Sequence, residues 1–160
     1  MLWFQNRDKQ AELYRVIRRL INASTPNRAP LQGESRWESR SNRTIPVLLV
    51  PYDNNELSVG ETAYALSKNM SSCGLALVLH QPLRSEQVVV GIWSSEQAHF
   101  VSARVRQTIP LGGGFWQIGV EARELLSPAS VPDLIRLLPL AARLDPSVPW
   151  DARLVELVSA

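Results

Sequence analysis

The chain opens with an amphipathic pattern. From about Asn6 to Ile21 the apolar residues Leu13, Val16, Ile17, Leu20 and Ile21 recur at helical spacing, with Arg15, Arg18 and Arg19 largely opposite them. That period predicts a helix ending near Ser24. From Thr25 to Arg43 only Leu31 and Trp37 are large and apolar among Pro, Asn, Ser, Gly and Arg, so this stretch is a linker without a core of its own. The period then shortens to that of strands, over about Ile45 to Tyr52, Thr62 to Ser67, Leu75 to His80, Val88 to Trp93, Phe100 to Thr108 and Phe115 to Ala122. Turn residues separate them at Asp53-Asn54-Asn55, Gln81-Pro82, Ser94-Ser95 and Gly112-Gly113-Gly114. Short strands at regular intervals, without long intervening helices, predict a closed antiparallel barrel, because closure removes the edges that would pair with other chains. The tail predicts helix again, with Ser130 as N-cap, Leu134, Ile135, Leu137, Leu138, Ala141 and Leu144 as its apolar face, and Pro139 as a kink or break. Asp151 to Val158 reads as one more short helix.

The fold class is therefore mainly β: a six-stranded antiparallel barrel with an N-terminal amphipathic helix and C-terminal helices. The organisation expected is a helix over 1–24, an arginine-containing linker over 25–43, the barrel over 44–126 and a helical segment over 127–160.

Charge narrows the function. With 17 basic and 15 acidic residues among 160, the formal charge is only +2, which gives no whole-molecule field for a nucleic-acid polymer. Any anion site must be local. One cysteine, Cys73, with His80 and His99 far apart in sequence, makes neither a disulfide nor a metal set at a recognised spacing. Cys73 is expected to be a small buried residue. No nucleophile-and-base arrangement, paired-carboxylate motif or metal set supports catalysis, so no catalytic residue and no cofactor are assigned. No signal peptide and no apolar run of roughly 20 residues is evident, which points to the cytoplasm. Leu2, Trp3 and Phe4 are expected to pack on the domain; insertion of the N-terminal helix into a membrane surface is the weaker reading.

The residues that carry candidate chemistry lie in two places. Asn69, Ser71 and Gly74 form an Asn-x-Ser-x-x-Gly pattern directly before the apolar run Leu75 to Leu79, and the upstream linker carries Arg28, Arg36, Arg40 and Arg43. In sequence order the arginines precede the first strand, the Asn-x-Ser-x-x-Gly stretch falls within the strand series, and Gly114 to Val120 closes that series. That order resembles the PilZ family over about Arg36 to Leu126. The resemblance implies a bacterial β-barrel module that binds the second messenger cyclic di-GMP, through an Arg-x-x-x-Arg stretch ahead of the first strand and an Asp/Asn-x-Ser-x-x-Gly stretch on the barrel.

The second motif maps onto Asn69, Ser71 and Gly74. For the first, Arg36 and Arg40 have the family spacing, while Arg40 and Arg43 lie nearer the strand start with one residue fewer between them. Counted back from Pro46, Thr44 stands where the family has its second arginine. Both pairs stay open, and Arg40 belongs to each. The chemistry is consistent with the residue types. A guanidinium can donate two parallel hydrogen bonds to phosphate or to guanine O6 and N7, and can stack on a base. Asn69 and Ser71, two apart in an extended segment, would present polar groups to a guanine edge, and Gly74 would supply either a positive φ or a close backbone approach. Trp37 is expected to pack on the domain rather than stack on a base.

The resemblance also implies a downstream protein partner. The rival reading is a degenerate PilZ domain that has lost the nucleotide and serves as a protein-interaction module. Output and oligomeric state have no signature in the sequence.

Overall fold

Each of the six segments with a strand period forms a strand in the computed structural model, which describes residues 44–70 and 73–147. The strands are β1 (Pro46–Asp53), β2 (Glu56–Leu57), β3 (Ala63–Met70), β4 (Gly74–Leu79), β5 (Gln87–Ser94), β6 (Gln97–Gly112) and β7 (Phe115–Leu126). Six of them follow the order β1-β3-β4-β7-β6-β5, and β5 pairs back onto β1, with Leu49 opposite Val90, to close the barrel. All pairings are antiparallel.

The seventh strand, β2, was not expected from the sequence. It folds back on the end of β1 through Asn54 and Asn55, at φ 53° and 61°, a left-handed pair that asparagine tolerates and that suits a two-residue hairpin. Ser95 and Glu96 make the corresponding turn between β5 and β6 at φ 52° and 62°, one residue beyond the Ser94-Ser95 expected. The three glycines turn β6 into β7, all at positive φ, where other residues would be strained.

Two cores explain the continuous apolar runs of β1 and β5. Val47 and Leu49 of β1 and Val88, Val90 and Ile92 of β5 point into the barrel, beside Leu77, Ile118 and Val120. Leu48 and Val50 of β1 and Val89 of β5 point outward, yet are also buried, against Leu134, Leu137, Ala141 and Leu144 of the C-terminal segment. A strand buried on both faces has no reason to alternate. Strands β3, β4 and β7 do alternate, because only their inner face is covered.

The C-terminal layer departs from the expected helix. Residues Pro132–Leu137 form a 3-10 helix and Leu138–Ala142 a short α-helix, α1. Pro139 does split the segment, sitting in the first turn of α1, where its missing N–H leaves no bond unmade. Ser130 is not the cap. Val131 precedes the first turn, and the Ser130 hydroxyl instead donates to the Ser127 carbonyl at 3.0 Å, closing a local turn. The Tyr64 hydroxyl at the start of β3 donates to the Leu140 carbonyl at 3.1 Å and ties this layer to the barrel.

The helices read over 6–21 and 151–158 and the linker over 25–43 lie outside the described residues. Among the described residues no helix is long and apolar enough to cross a membrane. With the C-terminal layer on the outside of β1, β5 and the start of β6, Asn69 and Gly74 lie on β3 and β4, away from that layer.

Candidate functional site

Asn69 lies near the end of β3, next to a register shift. Ser67 pairs with Leu77 and Asn69 with Ala76, so Lys68 is the extra residue of a β-bulge. In an unbroken strand Asn69 would share the inward face of Ser67, which is 1% exposed. The bulge resets the alternation: Met70 returns to the core at 2% exposure, while Asn69 is half-buried and Lys68 exposed on the outer face. This irregularity turns the asparagine outward.

Gly74 opens β4 opposite Glu121 of β7. A Cβ built on it would lie 2.8 Å from the Val120 carbonyl oxygen, a backbone atom that cannot swing aside. Its φ is not among the positive ones, so of the two reasons for a glycine here, close approach is the one that applies. Gly74→Ala is therefore expected to part β4 from β7 locally and to lower stability by about 1 to 3 kcal/mol. A urea unfolding midpoint equal to that of the wild type would contradict this.

Ser67 fixes the entry to the barrel. Its N–H donates to the Ile45 carbonyl at 2.8 Å, and its hydroxyl accepts from the Ile45 N–H at 3.0 Å. The residue joined to the arginine segment, Thr44, is thus held beside the bulge that displays Asn69. Ser67→Ala removes a buried acceptor and should cost about 1 to 3 kcal/mol. Ser67→Thr, which keeps the hydroxyl, should cost less in the same denaturation experiment. Of the other expected site residues, Arg36, Arg40, Arg43 and Ser71 lie outside the described residues, as does Trp37.

Across the sheet from Asn69 the outer face is nearly bare. Asn69 pairs with Ala76, Ala76 with Gly119, and Gly119 with Gln107. The far end of this row repeats the near end: β6 has its own register shift between Val105 and Gln107, which makes Arg106 an extra residue beside Gln107. A cation and an amide, Lys68-Asn69 on one side and Arg106-Gln107 on the other, flank a floor of alanine and glycine. The Lys68 ammonium donates to Gln117 Oε1 at 3.3 Å.

Two residue pairs along, Glu121 gathers positive charge. Arg106 Nε donates to its Oε2 at 2.6 Å, Arg123 lies 3.7 Å from its Oε1, and Arg104 is its register partner on β6. The hydrogen bond from Arg106 chiefly, and then the charges of Arg106, Arg123 and Arg104, hold the Glu121 carboxyl below its ordinary range, against some desolvation. A lowered carboxylate stays ionised as pH falls below the usual value, so the Arg106 contact persists into mild acid. Contiguous sequence reading missed this cluster because two strands build it. The signal available was the alternation of Arg104 with Arg106 and of Glu121 with Arg123.

Cys73 corrects an expectation. It is exposed, not buried, because it stands at the turn into β4. Its carbonyl accepts from the Ala122 N–H at 2.9 Å. Among the described residues no group of three His, Cys, Asp or Glu is placed to hold a metal ion.

Solved structures similar to this chain include the Bacillus subtilis inhibitor of motility MotI/DgrA, at 22% identity over 69% of this chain and 51% of that one, with a TM-score of 0.45. Another is MrkH of K. pneumonia in its apo state, at 15% identity over 74% of this chain and 55% of that one, with a TM-score of 0.41. MrkH in complex with c-di-GMP gives 14% identity over 72% of this chain and 55% of that one, again with a TM-score of 0.41. The chain thus spans 51% to 55% of the structures it matches. No family model and no curated protein matches it.

Proposed function

We propose that this chain is a cyclic di-GMP receptor of the PilZ type. The ligand lies on the outer face of β3, β4 and β7, with Asn69 and Ser71 reading guanine, Gly74 shaping the strand entry, and Arg40 with Arg36 or Arg43 closing over phosphate and base. The observation that carries this reading is the two-way hydrogen bonding of Ile45 and Ser67, which holds the start of the described barrel, Thr44 and Ile45, beside the strand that displays Asn69. Arg40 stands four residue steps before Thr44, a reach of at most about 14 Å along the backbone before its side chain is counted. On this reading the two motifs, far apart in sequence, would come within one ligand's length of each other.

The chemistry suits a cyclic dinucleotide more than a simple anion. Guanidiniums alone would hold any phosphate. A half-buried amide beside a small-residue floor adds a flat apolar contact and an edge to read. On this reading the protein performs no catalytic step, needs no cofactor and works in the bacterial cytoplasm, passing the bound state to a downstream protein partner.

Nuclear magnetic resonance titration with cyclic di-GMP tests the location. The amide signals of Asn69, Gly74, Ala76 and Gly119 should shift, and those of Leu134 and Leu137, on the far side of the barrel, should not. Shifts confined to the C-terminal layer would contradict this location, and no shift at all would favour the interaction-module reading instead.

A further inference from the structure

We infer that the β6 bulge, Arg106 with Gln107, is a second wall of the cyclic di-GMP site, holding the half of the ligand that the Asn-x-Ser-x-x-Gly stretch does not reach. The inference rests on the proposed function and names residues outside both motifs.

The first argument is placement. Lys68 and Asn69 stand opposite Ala76 on one side, Arg106 and Gln107 stand opposite Gly119 on the other, and Ala76 and Gly119 are direct partners between them. Three strand spacings separate the two bulges, about 14 Å. A cyclic dinucleotide has two guanines and two phosphates related by a two-fold axis, and a cation with an amide at each end of a flat floor matches that repeat.

The second argument is electrostatic. Arg104, Arg106 and Arg123 meet a single carboxylate, Glu121, so three positive charges face one negative. Arg106 is half-exposed, with 50% of its side-chain surface open. Its Nε and Nη2 both lie against Glu121 Oε2, which fixes the guanidinium's orientation, and of its five N–H donors those on Nη1 are left to share. A surface ion pair of this kind contributes little to folding, so the cluster has no evident structural purpose that would require it.

The third argument concerns Gly119. A Cβ there would meet only the Gln107 Cβ at 3.7 Å, ordinary contact distance. Packing does not demand glycine, and the bare backbone leaves the floor open to a flat ligand.

The test is calorimetric titration of cyclic di-GMP into the wild type, Arg106→Gln, Gln107→Ala and Gly119→Val, at two salt concentrations. Arg106→Gln should weaken binding about tenfold and flatten its salt dependence, since one phosphate contact is lost. Gln107→Ala should weaken it severalfold with the salt dependence intact. Gly119→Val places a favoured strand residue on the floor, and should weaken binding at least about tenfold while the thermal midpoint holds or rises. Wild-type affinity in all three folded variants overturns the second wall and leaves the receptor reading standing. No binding by the wild type itself overturns both.

Discussion

Replacing Asn69 and Ser71 together by alanine should abolish most of the preference for cyclic di-GMP over cyclic di-AMP. In the wild type a donor or acceptor matched to the guanine edge is left unpaired by adenine, at a cost of about 1 to 3 kcal/mol per group. The phosphates are common to both ligands, so the arginines' phosphate contacts contribute equally to each. The double variant should therefore lose cyclic di-GMP affinity by roughly one to two orders of magnitude, while the weak binding of cyclic di-AMP changes little. Asn69 is turned to the outer face by the β3 bulge and is not part of the hydrophobic core, so the fold should survive its replacement. Wild-type protein that binds both dinucleotides equally would reduce the motif to a turn.

Arg40→Ala should weaken cyclic di-GMP binding about 30-fold, the equivalent of one bidentate contact of about 2 kcal/mol. The effect should exceed that of Arg36→Ala or Arg43→Ala, because Arg40 belongs to both possible arginine pairs whereas each of the others belongs to one. Thr44 precedes Ile45, which is tied to Ser67 beside the bulge, and it carries no charge to compensate for a lost arginine. Isothermal titration of the three single variants ranks them directly. Equal affinities for wild type and Arg40→Ala would remove this residue from the site.

The strand series was legible because its signals are local. Val47 to Val50 and Val88 to Ile92 are unbroken apolar runs, which fits burial between a barrel interior and a second layer, and the Asn-Asn and triple-glycine turns announce their positive φ. What was not legible depends on register. The bulges at Lys68 and Arg106 have no local signature, since any residue can be the extra one. Yet the first decides whether Asn69 faces solvent, and the second puts Arg106 beside Gln107. The arginine cluster at Glu121 exists only because β6 lies against β7 in one register. The C-terminal segment kept its apolar spacing but not the expected helix type: Pro139 divided it, and its first half tightened to a 3-10 turn. Cys73 was expected inside on its chemistry, and the turn into β4 put it outside.

Calorimetric titration of the wild-type chain with cyclic di-GMP, with GTP as the control, tests the central claim most directly. A saturable binding heat with the dinucleotide and none with GTP is the predicted result. No heat with cyclic di-GMP, or equal heats with both, would contradict the assignment of this barrel as a receptor for the messenger.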